Sequence, residues 1–250
     1  MPMDDAPKSP DKIATADGEP GFAAIAFPPL DLTRPAGEQI FAALKSAILT
    51  TELPPGCLIS ENEIGQRFGA SRTPVREAFT QLRTDGLIVT RPSRGNYVSR
   101  LSEARIREAQ FIREALELAN VTRLCERGLP DAVIGELTGI LDIQGRAVAE
   151  GDTLGFQAQD DRFHTTLARA TGFERAETLL IREKAALDRL RVFSLGDTDH
   201  MTRLLEEHRA ILDAIRGRDT DRAVEAMRTH LRSILSALSS LIAAHTDFFE

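Results

Sequence analysis

From Leu101 onward the chain reads as helix, interrupted only at Gly128-Leu129-Pro130, Gly151-Asp152, Thr171-Gly172, Gly196-Asp197 and the stretch from Gly217 to Thr220. Glycine suits the left-handed position that ends a helix, and proline cannot continue one. The breaks predict six helices, over about 102–128, 131–150, 153–171, 173–195, 199–216 and 220–248. Connections this short favour antiparallel neighbours, so residues 101–250 are expected to form an all-α antiparallel bundle.

The first hundred residues are patterned differently. Residues 1–33 are rich in Pro, Asp, Gly and Ala and lack periodicity, which predicts a mobile tail. Within 34–100, Ile40, Leu44 and Ile48 recur at helical spacing until Pro54-Pro55-Gly56. Leu58-Ile59 is long enough only for a short strand. Ser60 and Glu63 form a capping box at the start of a helix that carries Ile64 and Phe68 and meets Gly69. Ser71 is placed to cap a third helix, with Pro74 tolerated in its first turn and Val75, Ala78, Phe79 and Leu82 as its buried stripe. Leu87 to Arg91 and Asn96 to Ser99 read as strands joined by Pro92-Ser93-Arg94-Gly95. Helix, helix, turn, helix and hairpin make a winged helix-turn-helix, so the chain is mainly α with a small wing.

Composition narrows the function classes. A hydrophobic content of 42% supports a core, and no apolar run approaches the ~18–20 residues that span a bilayer. The early apolar run from Phe22 to Phe27 stops at Pro28-Pro29 and follows acidic residues, unlike a signal peptide. Cys57 and Cys125 form no CxxC pair or disulfide framework, which fits a reducing cytoplasm. The net charge is −7, yet residues 71–100 carry six arginines against Glu77 and Asp85. One basic patch on an acidic chain points to a local polyanion site.

Arg72, Arg76, Thr80 and Arg83 share the helix face opposite Val75, Phe79 and Leu82. An arginine fork matches phosphate oxygens, or guanine O6 and N7 in the major groove. The helix N-terminus adds outward amides, and Arg94-Gly95 can bring a cation and bare backbone to the neighbouring groove. The expected contacts to double-stranded operator DNA are therefore Ser71, Arg72, Thr73, Arg76, Thr80, Arg94 and Gly95. The segments Ala43 to Ile48, Pro55 to Glu61, Ala70 to Ala78 and Asp85 to Ile88 resemble the DNA-binding domain of the GntR family of bacterial transcription regulators. The resemblance covers about residues 36–100 and implies that Arg72, Arg76 and the wing Gly95 contact the operator. A homodimer placing two winged helices on a two-fold symmetric site is the expected assembly.

Asp160 and His164 are four apart and project from one helix face. Asp219 lies midway between His208 and His230, so two antiparallel helices joined there bring both imidazoles to one level. If the first helix packs on that hairpin, three imidazoles and a carboxylate converge into an N/O site suited to Zn²⁺, Ni²⁺ or Mn²⁺, zinc being favoured. Asp161 points about 100° away, and His200 and His245 share no level with the others, which leaves them as surface or packing residues.

Ile112 to Glu117, Asp160 to His164, Glu207-His208-Arg209 and His230-Leu231 resemble the FadR-type effector domain, known as the FCD domain, of one GntR subgroup. Six helices are closer to its VanR-like branch. This resemblance implies that Asp160, His164, His208 and His230 bind a divalent metal that coordinates a small carboxylic acid effector. Arg113 would hold the effector's carboxylate; the alternative is a surface salt bridge with Glu117. The sum is a ligand-responsive regulator, with repression relieved by ligand as the default, and not an enzyme. A metal-dependent enzyme with an accessory DNA-binding domain is the alternative, against which stands the lack of a general base or nucleophile paired with the site. An architectural DNA binder, the third reading, has no use for so large an acidic half.

Overall fold

The computed structural model describes residue 25 and residues 27–184, 187–194 and 198–250. Its first domain contains α1 (Ala36–Leu49), α2 (Glu61–Phe68) and α3 (Arg72–Thr84), followed by a hairpin of β2 (Ile88–Arg91) and β3 (Gly95–Val98). A two-residue strand, β1 (Leu58–Ile59), pairs with β3, giving an antiparallel sheet of order β1-β3-β2 with Leu58 opposite Tyr97 and Ile88 opposite Val98. Ile40, Leu44 and Ile48 of α1 are fully buried in one cluster with Val75, Phe79 and Leu82 of α3. Each such side chain contributes about 1.5–3 kcal/mol by leaving water. That burial fixes which face of α3 looks outward.

The helix starts follow the sequence in part. Ser60 accepts the Glu63 amide at 3.4 Å, but the Glu63 carboxylate turns to Arg67 at 3.1 Å, so only half of the expected box forms. Ser71 holds the N-cap position of α3 without a side-chain cap bond. The reason is Pro74, which stands where a capping oxygen would find its third-residue amide and has no N–H to give. Gly95 is required twice over: its φ is +106°, and a Cβ there would lie 2.9 Å from Leu58 Cδ1.

Most of the expected tail lies outside the described residues. Its last part is held down: the Phe27 and Phe68 ring centroids are 4.8 Å apart, and Arg67 donates to the Ile25 carbonyl at 3.1 Å. Ile25, Phe27 and Leu30 all pack on the winged-helix core; these few apolar side chains outweigh the polar average of the segment.

The second domain is the antiparallel all-α bundle, comprising α4 (Glu103–Arg127), α5 (Asp131–Glu150), α6 (Thr153–Ala170), α7 (Glu174–Lys184), α8 (Asp188–Ser194), α9 (Thr198–Arg216) and α10 (Thr220–Ala244). Asp152 caps α6 through the Gly155 amide at 2.9 Å, and Asp219 caps α10 through the Arg222 amide at 3.0 Å. The single helix expected over 173–195 is two, α7 and α8. The break redirects Leu187 and Leu190, both fully buried, into a cluster with Leu101, Ile106, Leu238 and Phe248 where the two domains meet. The break expected at Gly196-Asp197 lies outside the described residues.

The last helix stops at Ala244 rather than 248, and a 3-10 turn (Thr246–Phe248) brings the chain end back to that junction. There the Leu101 amide donates to the Phe248 carbonyl at 2.8 Å and the Glu250 amide to the Leu101 carbonyl at 3.0 Å. Among the described residues, no helix is long and apolar enough to cross a membrane.

Gly95→Ala should destabilise the first domain by about 1–3 kcal/mol, the usual cost of a side chain forced into such a backbone conformation. A urea denaturation midpoint that falls at unchanged m-value is the expected reading; an unchanged midpoint would mean the hairpin relaxes freely.

Candidate functional site

The outward face of α3 presents Arg72, Thr73, Arg76 and Thr80, all exposed, with Ser71 exposed just before them. Arg76 Nε lies 3.6 Å from a Glu61 carboxylate oxygen, and the arginine side chain is 74% exposed. A pair so wet is worth at most ~1 kcal/mol, so a phosphate or a base edge can displace it. The Thr80 hydroxyl is engaged within α3, donating to the Arg76 carbonyl at 2.8 Å and accepting from Arg83 Nη2 at 3.0 Å. Arg83, the fourth member of the stripe, reaches sideways to the wing. Its Nη1 donates to Asn96 Oδ1 at 3.4 Å, and the Thr90 hydroxyl donates to the same oxygen at 2.6 Å. Arg83 thus ties the reading helix to the hairpin. Arg94 and Gly95 stand exposed at the hairpin tip, braced by the Tyr97 hydroxyl, which donates to the Arg94 carbonyl at 3.1 Å.

In the bundle, Asp160, His164, His208 and His230 do come together. All four are buried, and one ligand atom from each lies within 4.8 Å of the others. His230 Nε2 is 3.1 Å from His164 Nε2 and 3.2 Å from His208 Nε2, while Asp160 Oδ1 is 3.4 Å from His208 Nε2. Donors about 2.1 Å from a common ion stand about 3.0–3.4 Å apart, so this set fits a first-row divalent cation.

What aims the three rings is behind them. His164 Nδ1 meets Glu117 Oε2, His208 Nδ1 lies 2.9 Å from Gln144 Oε1, and His230 Nδ1 lies 2.9 Å from Glu207 Oε2. Each Nδ1 thus has an acceptor behind it, and a proton placed there leaves the Nε2 lone pair free to turn to the centre, the arrangement by which outer partners orient metal-binding histidines. Burial pushes the pKa values of His208 and His230 well below the imidazole range, and the neighbouring imidazoles push the same way. Neutral imidazole is the ligand form. For Glu117, burial alone would raise the pKa, but His164 and Arg113 outweigh it and hold the carboxyl at about 2. It therefore remains an acceptor.

Arg113 is buried, and its Nε donates to Glu117 Oε1 at 2.6 Å. The pairing foreseen as a surface bridge exists, but inside the protein, because α4 turns this face to the bundle. Arg113 also lines a cavity of about 30 Å³ beside the histidines, together with Gln157, Arg191, Ser194, His200 and Ser233. That is room for only about two waters. His200, read from sequence as a surface or packing residue, thus reaches the cavity, whereas the His245 ring stacks on Phe248 at 4.6 Å. Asp161 faces away from the histidines, as its helical position predicts, and holds Lys184 at 2.6 Å and Arg191 at 3.0 Å.

Three participants escaped the sequence reading: Gln144, Glu207 in its supporting role, and Arg191. Gln144 had a signal, since it interrupts the buried stripe of Leu137, Ile140, Leu141 and Ala147 on α5. Arg191 had none, because it lies beyond the unforeseen break between α7 and α8.

Comparison with known proteins agrees with both halves. Residues 36–98 match the model of bacterial regulatory proteins of the gntR family, and residues 108–233 match the FCD domain. The HTH-type transcriptional regulator in the unstable DNA locus of Streptomyces ambofaciens is 38% identical over 211 residues, covering 84% of this chain and 88% of that protein. The HTH-type transcriptional repressor RspR of Escherichia coli K12 is 34% identical over 220 residues, covering 88% and 96% of the two chains. Among solved structures, a transcriptional regulator GntR from Rhodococcus sp. RHA1 superposes with a TM-score of 0.66 at 25% identity, over 81% of this chain and 97% of that one.

Removing the carboxylate that serves both Arg113 and His164 leaves a buried guanidinium without its partner. Glu117→Ala should therefore cost about 3–5 kcal/mol of bundle stability, the usual penalty for breaking a buried ion pair from one side. Chemical denaturation of the metal-free protein measures it; a loss below 1 kcal/mol would mean that water enters and replaces the carboxylate.

Proposed function

Because this chain belongs to the gntR family of bacterial transcriptional regulators, with an FCD domain behind its winged helix, we propose that it is a metal-dependent, acid-responsive repressor. Family membership makes it a regulator of transcription and removes the metalloenzyme reading. The observation that carries the finer reading is the convergence of three imidazole Nε2 atoms and the Asp160 carboxylate beside a cavity lined by Arg113. Asp160, His164, His208 and His230 would hold the cation, zinc being the best match for an N₃O set of this spacing, with nickel or manganese as alternatives. When bound, the ion supplies open coordination positions for the oxygens of a small carboxylic acid. Arg113 would take the carboxylate through its planar fork.

On the DNA side, Arg72 and Arg76 would read or clamp the major groove, the uncapped start of α3 at Ser71 and Thr73 would meet a phosphate, and Arg94 and Gly95 would enter the neighbouring groove. Thr80 supports Arg76 and Arg83 from within the helix. The protein would act in the cytoplasm as a homodimer. Exposed apolar side chains on neighbouring helices of the bundle, Phe111 of α4 at 76% and Ile181 of α7 at 53%, would suit contact with a second copy. RspR is a transcriptional repressor by name, which supports repression as the sign of regulation here. For a ligand to relieve it, the acid must bind the DNA-competent and incompetent forms with different affinity.

A thermal-shift screen of small carboxylic acids, with and without chelator, tests this function. One acid should raise the melting temperature, and chelation should abolish the rise. His208→Ala should lose the bound metal and the acid's effect together. Full metal occupancy of that variant by elemental analysis would remove His208 from the ligand set. Arg76→Ala should weaken operator binding by about 1–3 kcal/mol at fixed salt, the range for a bidentate base contact. An unchanged isotherm would take Arg76 out of the interface.

A further inference from the structure

Two arginines of α8 point into different parts of the molecule. Arg189 and Arg191 are two residues apart, so their side chains leave the helix roughly 200° apart. Arg191 is buried against the histidine cluster. Its Nη2 meets Asp160 Oδ2, its Nη1 lies 3.0 Å from Asp161 Oδ1, and it lines the same cavity as Arg113. Arg189 turns to the domain junction, where Nη1 donates to the Ser99 carbonyl and Nη2 to the Arg100 carbonyl at 3.4 Å. Ser99 and Arg100 follow β3 and lead into α4. Leu187, just before α8, and Leu190, between the two arginines, pin the helix into the cluster of Leu101, Ile106, Leu238 and Phe248, and α8 also packs on α1 of the first domain.

Asp160 has two claimants. It belongs to the four-residue cation set, and it is also the partner of Arg191. A divalent ion carries twice the charge of a guanidinium and draws on the same carboxylate oxygens. A bound ion would loosen the grip of Arg191 on Asp160 and leave that guanidinium with Asp161 and the cavity. The freed edge would then lie on the cavity that Arg113 also lines, giving an incoming carboxylate a second cation.

We propose that α8 is the relay between the metal cluster and the DNA-binding domain: Arg191 responds to what occupies Asp160, and Arg189 passes the displacement of the helix to the Ser99 and Arg100 carbonyls. The inference rests on the metal reading above. A packed helix does not absorb a change at one end by bending, because interiors are close-packed and shift as units. The relay transmits only as much free energy as the Arg191 contacts differ between the loaded and unloaded site.

The experiment uses the full-length protein, Zn²⁺ alone as the probe, and hydrogen–deuterium exchange read by mass spectrometry. In the wild type, Zn²⁺ should change exchange both in a peptide spanning 187–194 and in one spanning 99–106. Arg189→Met keeps the aliphatic stem; it should bind Zn²⁺ normally and retain the first change while losing the second. Arg189→Lys, with a cation and a shorter reach, should restore part of it. Arg191→Met should bind Zn²⁺ and lose both changes; if that variant does not fold, the Arg189 pair decides alone. Zinc binding with a silent 99–106 peptide in the wild type, or an equal response in Arg189→Met, overturns the relay and leaves the metal site standing. Zinc bound no better by the wild type than by His208→Ala overturns the metal reading and the relay with it.

Discussion

Three imidazoles can be aimed at one point in a dry interior only if each ring is held from behind. Glu117, Gln144 and Glu207 do this for His164, His208 and His230, and each comes from a different helix: α4, α5 and α9. The ligands themselves stand on α6, α9 and α10. The cluster therefore constrains the register of five helices at once. Moving any one of them along its axis by a single turn, about 5.4 Å, breaks a ring from its support or takes a nitrogen out of the centre. Apolar packing alone is more tolerant, since leucines and isoleucines exchange neighbours at little cost. The Phe163 ring, stacked on His208 with centroids 4.5 Å apart, joins the polar cluster to the apolar core around it.

The same arrangement explains why so many charges are buried together. Arg113, Glu117, Asp160 and Arg191 are all under a tenth exposed. Burying ions is costly, and replacing such networks by apolar residues often leaves a fold as stable as before. What the network supplies is sensitivity. A doubly charged ion bound among Asp160, Glu117 and two guanidiniums would change every balance in a medium that screens poorly. A binding site in an apolar core would have nothing comparable to rearrange.

How much of this was legible in the sequence follows from what each inference depended on. The wing, α3 and its outward arginines rest on local rules of periodicity, turn residues and helix starts, and the elements form where those rules put them, although the side-chain caps form only in part. The convergence of the four candidate ligands was legible because their spacing is local on both sides: four residues within α6, and two histidines equidistant from the Asp219 break. Long-range partners left weaker traces. Arg83 sits on the outward stripe of α3 by helical arithmetic, yet its guanidinium is captured by Asn96, and no spacing rule shows that the hairpin folds back within its reach. The α7–α8 break was invisible because its cause is tertiary: Leu187 and Leu190 are drawn to Leu101 and Phe248, from the two ends of the bundle's sequence. Ser71 failed as a side-chain cap for a local reason that was available, namely the proline three residues later.

Magnitudes decide whether so small a helix as α8 can matter to DNA binding. A tenfold change in operator affinity corresponds to ~1.4 kcal/mol. One hydrogen bond from a charged donor is worth about 1.5–3 kcal/mol, and Arg189 makes two of them to consecutive carbonyls of the segment joining the domains. Weakening one of the two in one functional state and not in the other is already on the scale of regulation. No large rotation within the bundle is needed. Among the described residues the junction is closed by the cluster around Leu101, by α8 against α1 and by the returning C-terminus. A stiff site with many supports, joined to the reading head through a few strong contacts, concentrates the effect of a bound ion on those contacts.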